Sequence, residues 1–504
     1  MGTLALSLTG ISTNWLPPAQ LIQVQFAQGT LLGDPGQPKV LLVGTVLTSG
    51  SATADTQAYP LGTEAEVIDY FGEGSDIHVA WRAFTSVCKT ANMYGIGATE
   101  SDGTAASITI TFAGDAAGVG SAELTMFGET ISVSFASGDA FDTAIAEDLK
   151  DVINDQTHWP VTAARSQGVI TITYKTKGTN GNWARTHVKI TSGVTTTMVA
   201  GGTGVLASGA TDEVFTTALS TILASHYDYI VPCVNPTAGA DARLSSVSAQ
   251  VLTQALPASG IRQQLIAASA DSLSNATTLV TAYNKAGNQI WWHTNSEELP
   301  LQIAAHNAGV RYNEETGADP GVSYDGYGPG TNDVFFIKPQ YSGSDHPTQA
   351  EINTALSVGL SPIGVNSQDK AYMVMSCTAA GADPRIRDTS KVTVSYRFVN
   401  DLAARDASIW PRAKIADNEP VGARKYPAKI CTPTRLRDTV IEPVLREFRD
   451  RGLLIEVDGP TGSLASTATG LDPTVSTRIN ARIPIKVTPL RHQVQFLVNE
   501  VSTG

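Results

Sequence analysis

The groups with which this chain could do chemistry are few and scattered. Cys88, Cys233, Cys377 and Cys431 lack the short spacings of a zinc site or a disulfide framework, so they read as reduced, mostly buried thiols. Of the eight histidines, His78, His158, His187, His226, His293, His306, His346 and His492, none pairs with another histidine or a cysteine at metal-ligand spacing. A zinc or iron centre would need long-range assembly. Ser342-Gly343-Ser344-Asp345-His346 sets the three residue types of a hydrolytic triad side by side, but a triad is built in space and sequence neighbours cannot form it. There is no G-x-S-x-G elbow, and a turn ahead of a helix starting near Thr348 is the plainer reading. Gly202-Thr203-Gly204-Val205-Leu206-Ala207 fits a dinucleotide fingerprint, yet it lies at a domain junction where a glycine-rich hinge is expected. The stretch Glu314-Glu315-Thr316-Gly317-Ala318-Asp319-Pro320, continuing to Asp325-Gly326 and Asn332-Asp333, offers oxygen ligands without EF-hand spacing and reads as an exposed loop. No catalytic residue, metal ligand or cofactor is expected.

The 504 residues carry 34 Lys+Arg against 47 Asp+Glu, a net charge of −13, with 16% charged and 42% hydrophobic residues. That is too apolar for intrinsic disorder, and no run of about 18 apolar residues could span a bilayer. Two to four domains are expected, roughly, at this length. The charge is uneven: from Ala382 onward there are 19 Lys+Arg and 14 Asp+Glu, a balance of +5, which leaves −18 on the first 381 residues. The basic end holds Arg435, Arg437, Arg446, Arg449 and Arg451 on one helical stretch, where they either meet an acidic partner or pair with Glu442, Glu447 and Asp450 on a solvated face. With no basic stripe interleaved with aromatics, nucleic-acid binding is not expected. The opening MGTLALSLTG lacks a basic start and a cleavable apolar stretch, so cytoplasmic synthesis and residence are expected.

The elements that would position these residues follow a regular order. Residues 1–37 read as an arm, broken by Pro17-Pro18 and closed by Asp34-Pro35-Gly36, with one strand-like piece from Leu21 through Val24 to Phe26. Residues 38–101 begin an α/β unit: a buried strand Lys39–Gly44, then helical stretches over 62–71 and 77–93. Residues 102–205 alternate with period two and predict a mainly antiparallel β-domain, interrupted by one helix over 140–153 with Asp139 as its cap. Over 206–382 strands alternate with helices near 213–224, 240–256, 272–285 and 298–312, which predicts a mostly parallel sheet covered on both faces and split by the β-insertion. Residues 383–504 form a C-terminal α+β region. Thr432-Pro433 starts a helix, Gly452 stops it, and Pro443 kinks or divides it. Two alternating runs close the chain: Ile483, Ile485 and Val487, then Val494, Phe496 and Val498.

Three segments in this order resemble the tail sheath proteins of contractile bacteriophages, the Mu-like group in particular. Val40–Gly44 with Glu64-Ala65-Glu66 and Phe71-Gly72-Glu73-Gly74-Ser75 is similar to the family's opening strand and its turn before a helix. Asp319-Pro320, then Ala350 to Val365 and Ala371 to Ser376, is similar to its helix and following strands, with Met375-Ser376 where the family often has arginine. Thr432-Pro433 through Gly452-Leu453-Leu454-Ile455 resembles its C-terminal helix. The resemblance implies a subtilisin-like α/β sheath core, a C-terminal domain ending in an exchanged strand, and an outward-projecting insert tolerant of variation. It implies no enzyme but a structural subunit, stacked in hexameric rings around a tail tube protein, meeting baseplate and tail terminator proteins. Contraction would drive the tube through a host envelope, and the site would be a virion tail, reached from the host cytoplasm without contact with nucleic acid or membrane. It further implies that Leu21, Val24, Phe26, Val494, Phe496 and Val498 belong to strands exchanged between subunits, and that the C-terminal arginines face the tube. A surface adhesin and an α/β enzyme are the rival readings.

Overall fold

The structure is a computed structural model, and it describes residues 38–191, 200–201, 204–236, 239, 241–255, 261–294, 296–315, 346–365, 371–383, 386–417, 420, 426–427, 429–471 and 479–489. Those residues divide into two compact units. The larger holds 38–397, 445–466 and 484–489, and the smaller holds 398–444 and 467–483.

The larger unit opens with β1 (Lys39–Thr45), whose apolar run Val40-Leu41-Leu42-Val43 is buried on both faces, then β2 (Tyr59–Pro60). Thr63 caps α1 (Glu64–Phe71) through a capping box with Glu66, and Ser75 caps α2 (Asp76–Val87). The second helix ends before Cys88, short of the expected 93, because Asn92–Ala98 is a strand, β3. Next come the insert strands β4 (Ser107–Thr111), β5 (Gly120–Met126) and β6 (Glu129–Phe135). A π-helical turn over Phe141–Ile145 leads into α3 (Ala146–Asp155). Asp139 does not cap this helix; its carboxylate accepts from the Ala136 amide instead. The insert continues with β7 (Val161–Ser166), β8 (Val169–Tyr174), β9 (Arg185–Thr191), β10 (Ala200–Gly201) and β11 (Gly204–Val205). Two four-stranded antiparallel sheets result, ordered β10-β4-β8-β7 and β11-β9-β5-β6.

The chain then returns through α4 (Thr216–Ser220), β12 (Tyr229–Pro232), α5 (Ala242–Gln254), β13 (Gln264–Ser269), α6 (Leu273–Ala282), β14 (Asn288–Trp292) and α7 (Pro300–Glu315). After α8 (Gln349–Val358) come β15 (Ser361–Val365) and β16 (Ala371–Met373). The eight strands align as β16-β15-β14-β13-β12-β1-β3-β2, parallel except for the two outermost. Alternate residues divide the sheet's faces: Val40, Leu42, Val231, Ile266 and Trp291 pack with α2 and α7, while Leu41, Val43, Ile230, Leu265 and Trp292 pack with α4, α5, α6 and α8. The insert's core of Phe112, Phe141, Leu149 and Ile172 is continuous with the first of these layers. So the α/β core and its insert are one packed body, mixed α/β with a large, mostly parallel sheet and added antiparallel sheets.

α9 (Thr389–Ile409) follows, and its opening Val392-Thr393-Val394-Ser395-Tyr396 alternates like a strand. In the smaller unit lie β17 (Lys414–Ile415), β18 (Ile430–Cys431) and α10 (Pro433–Leu436), capped by the Thr432 hydroxyl with proline at the first turn. A π-helical turn, Arg437–Ile441, joins it to α11 (Glu442–Asp450). Pro443 accounts for the irregularity: it has no amide to give the carbonyl four residues back, at Thr439, and Arg405 Nε donates to that carbonyl at 2.9 Å instead. Gly452, at φ 75°, turns the chain out of the helix. After α12 (Ser463–Ser466), β19 (Ala468–Leu471) pairs antiparallel with β20 (Ile479–Arg482). The run Ile483, Ile485, Val487 is not a strand; Val487 bridges Leu454, and Ile485 and Val487 line a 590 Å³ groove with Val392 and Tyr396 of α9.

Candidate functional site

In doubly wound sheets a ligand binds in the crevice at the carboxyl ends of the strands, where the strand order reverses. Here that place lies between β1 and β12, and the insert fills it. Tyr174 and Asn180 reach the amino-terminal end of α2, where Asp76, fully buried, accepts from the Tyr174 hydroxyl at 2.7 Å and from Asn180 Nδ2 at 2.8 Å. Asn180 Nδ2 also donates to the Cys233 carbonyl at 3.2 Å, just beyond β12, and Asn180 Oδ1 accepts from the Asn235 amide at 3.0 Å and Arg243 Nη1 at 2.8 Å. Asn235 in turn accepts from the Leu301 amide at 2.9 Å in the first turn of α7. Gly181 permits the approach, since a Cβ there would lie 2.7 Å from the Tyr174 side chain. Three helix amino termini, those of α2, α5 and α7, thus converge on one insert turn, and their dipoles favour the carboxylates of Asp76 and Asp241.

Arg243, 1% exposed, is the cation of this hub. It grips Asp241 through Nε at 3.1 Å and Nη2 at 2.8 Å and meets Asp212 at 3.2 Å and Glu213 at 3.3 Å. Burial opposes its charge, and Asp241, Glu213 and Asp212 outweigh that cost and keep it protonated. Burial raises the Asp76 carboxyl, and it pushes the Tyr174 hydroxyl and the Cys233 thiol well above their ordinary ranges. A thiol so held is inert.

A second polar site lines a 250 Å³ cleft among α2, α7 and the β5–β6 turn. That turn is Phe127-Gly128, with φ 53° and 76°, the two-residue geometry that usually takes Asn-Gly. The strained phenylalanine packs its ring edge-on against Trp159, centroids 5.7 Å apart. Glu129 accepts from Trp159 Nε1 at 2.8 Å and lies 3.0 Å from His158 Nε2, and the His158 hydrogen bond brings its carboxyl down to about 2. Ser86 also lines the cleft, but its hydroxyl donates to the Ala83 carbonyl at 2.6 Å, so it is not activated as a nucleophile. Nearby, His78 accepts the Gly74 amide at Nδ1, which makes Nε2 the donor to Glu64 and fixes a neutral ring whose pKa burial lowers.

Among the described residues, those singled out from sequence are not assembled into a centre. Among the described residues no cluster of three or more His, Cys, Asp or Glu side chains is arranged to hold a metal. Gly204-Val205 is strand β11 paired with β9 and opens no helix; Gly202 and Thr203 lie outside the described residues. Glu315 ends α7 as the buried partner of Arg311, while 316–345, with Ser342, Ser344 and Asp345, lie outside the description. The helix expected to start near Thr348 is α8, and Thr348 caps it. His346 sits 6.4 Å, ring to ring, from His293, a fully buried residue whose two nitrogens have no hydrogen-bond partner among the described residues.

Burial, with His346 adding to the effect, brings the His293 pKa down to about 4. The unfolded chain, with an ordinary imidazole near 6.5, binds the extra proton first, so stability contributed by neutral His293 is complete above about pH 6.5 and is lost as pH falls toward 4, up to about 3 kcal/mol. Urea denaturation at pH 4.5 and 7 should show this loss in the native chain and a smaller one in His293→Phe. Equal pH dependence in both would refute the assignment.

The five arginines fall into different surroundings. Arg435 spends its guanidinium on the carbonyls of Tyr426, Pro427 and Ile430, at 2.9 to 3.0 Å, and so braces the loop before α10. Arg437 is half-buried in the π-helical turn. Arg449 pairs with Asp450 and Asp458, and Arg451 lies 4.0 Å from Glu447 and over the Phe448 ring. Arg446 is exposed. The expected helix pair between Glu447 and Arg451 forms. The residues expected in exchanged strands, Leu21, Val24, Phe26, Val494, Phe496 and Val498, lie outside the described residues. What sequence reading did not identify is the hairpin β19–β20. It is a sheet of only two strands, with Ala468, Asn480, Ala481 and Arg482 exposed, and among the described residues neither outer edge is covered by a strand.

No protein-family model and no characterised protein sequence matches the chain. Among solved structures, the chain is similar to a sheath tail protein from Desulfitobacterium hafniense, at 12% identity over 92% of this chain and 100% of that one, with a TM-score of 0.45. It is similar to a chain of the anti-feeding prophage baseplate, at 10% identity over 99% of this chain and 100% of that one, TM-score 0.47. A third likeness is to the sheath complex of the PVC extracellular contractile injection system in its contracted state, at 9% identity over 97% and 99% of the two chains, TM-score 0.47.

Proposed function

We propose that this chain is the structural subunit of a contractile tail sheath, which polymerises in hexameric rings around a tail tube and contracts to drive the tube through a host envelope. The observation that carries the reading is the β19–β20 hairpin, neither edge of which is covered by a strand among the described residues, in a chain whose two ends both carry strand-like runs. A two-stranded sheet is marginal by itself and gains from added strands. Strands Leu21–Phe26 and Val494–Val498 of neighbouring subunits supply them, and main-chain hydrogen bonds hold the joint whatever the side-chain packing around it. The ordered resemblance of three segments to sheath proteins supports the same reading, as does the filling of the crevice where an α/β enzyme would take its substrate. Electron microscopy of the purified protein tests it: hollow cylinders are expected, and discrete particles under all assembly conditions would refute it.

In this assembly the basic stretch on α11 meets the tube. Arg446, with Arg449 and Arg451 beside it, carries the contact, while Arg435 acts within its own subunit. Arg446→Glu combined with Arg449→Glu should reduce co-sedimentation of sheath with tube at least ten-fold at low salt, with the loss shrinking as salt rises. Undiminished binding would remove the arginines from the interface.

A further inference from the structure

We infer that Glu213 carries a proton that closes the junction between the inserted domain and the α/β core, and that ionisation of this single carboxyl releases the return segment 206–214. The inference rests on charge accounting and geometry and is independent of the sheath reading. One cation, Arg243, faces four carboxyl groups: Asp76 on α2, Asp241 on α5, and Asp212 and Glu213 on the return segment; the other titratable neighbours are Tyr174 of the insert and Cys233 beyond β12. All four cannot ionise in a buried space against one positive charge.

Three of the four are better compensated than Glu213, although burial raises Asp76 too. Asp241 takes two Arg243 nitrogens and caps its own helix through the Arg243 and Leu244 amides. Asp76 holds the Tyr174 hydroxyl and Asn180 amide at a helix amino terminus. Asp212 takes the Thr179 amide at 2.7 Å and hydroxyl at 2.9 Å, and its side chain is 26% exposed. Glu213 has the long 3.3 Å contact to Arg243 at one oxygen, no partner among the described residues at the other, and a side chain only 1% exposed. The proton belongs on the least compensated group. Consistently, burial lifts the Glu213 carboxyl up to about 7 against the pull of Arg243, with Asp76 and Asp212 adding to the rise.

The segment is also poised to move. Ser208 at φ 70° and Thr211 at φ 64° are left-handed without being glycine, and the second is β-branched, so the surrounding contacts hold strained backbone. Those contacts include the pairing of Ala207 with Ser107 and of Ala210 with Thr104, and the Asn182 side chain bonded to both backbone groups of Gly209. An ionised Glu213 would repel its neighbouring carboxylates and need water, which only opening supplies.

Hydrogen exchange of the full chain at pH 6 and 8.5, corrected for intrinsic rates, tests the inference. Amides of 206–214 should lose protection by up to about ten-fold per pH unit as pH rises from about 4.5, the ordinary value the carboxyl regains on opening, to about 7, its value in the closed junction, and should level off above that, so the loss between pH 6 and 8.5 is about ten-fold, the signature of one linked proton. Glu213→Gln should keep protection nearly constant over the same range. Unchanged protection in the native chain, or the same pH-dependent loss in Glu213→Gln, would overturn it. Should that variant fail to fold, infrared spectra of the native chain decide: a protonated buried carboxyl band that disappears above neutral pH supports the assignment, and a spectrum without it rejects it.

Discussion

Chains lacking residues 490–504, or residues 1–27, are expected to fold and stay soluble but to form no tubes. A six-residue strand laid on a hairpin edge makes about three to six main-chain hydrogen bonds, each worth roughly 1 kcal/mol net. Losing them weakens every subunit joint by several kcal/mol, which is more than a hundred-fold in affinity and, repeated along a helical polymer, prevents assembly at micromolar concentration. The amino-terminal arm strengthens the expectation, because among residues 1–37 the single charged side chain is Asp34. An arm so poor in charge and rich in Leu, Ile, Val and Phe gains little from remaining in water. The readout is negative-stain microscopy beside sedimentation velocity, with circular dichroism to establish folding. Native-like tubes from both truncations would exclude strand exchange as the joint.

The largest effect on the subunit itself is expected at Arg311. It is fully buried beneath the sheet, where Nε meets Glu315 at 2.9 Å, Nη1 meets Gln289 Oε1 at 2.8 Å, and Nη2 meets Gln264 Oε1 at 3.0 Å and Thr393 Oγ1 at 3.1 Å. The Tyr229 ring lies under the guanidinium at 5.2 Å, and the Tyr229 hydroxyl donates to Glu315. One side chain therefore joins α7, three neighbouring strands and the start of α9. Arg311→Met leaves Glu315 buried without its counter-charge and should cost about 3 to 5 kcal/mol, read as a lowered urea midpoint. Adding Glu315→Gln removes the stranded charge and should recover part of the loss, because the penalty comes from the unpaired ion more than from the missing pair. A single variant within about 1 kcal/mol of the native chain, or a double variant no better than the single, would contradict this account.

Much of the architecture was legible because the sheet is buried on both faces. Strands such as Val40-Leu41-Leu42-Val43 must then be apolar throughout, the insert strands must alternate, and the change of period marks the splice. Capping chemistry was equally readable at Thr432. What escaped was whatever depends on residues far apart in sequence. Nothing near Asn180 announces that it joins Asp76, Cys233 and Arg243, separated from it by 104, 53 and 63 positions. β3 was hidden because Asn92–Ala98 contains two glycines and follows a helix without a strong stop. The first turns of α9 carry β-branched residues in alternation, and there burial against the sheet overrides local propensity. For Arg435, basic character suggested an external partner, yet three carbonyls of its own loop take up the guanidinium.

The way the insert is seated decides where foreign sequence can be spliced into this protein. Excising the insert at its neck would strip Asp76, the Cys233 carbonyl and Asn235 of the partners that Tyr174 and Asn180 provide, and would uncover apolar surface continuous with the core. Its far loop, 113–119, is different: glycine- and alanine-rich, it ends in Val119 at 73% exposure. If the chain polymerises as proposed, a peptide or small domain grafted there would be displayed at regular intervals along the tube, with the junction below left intact.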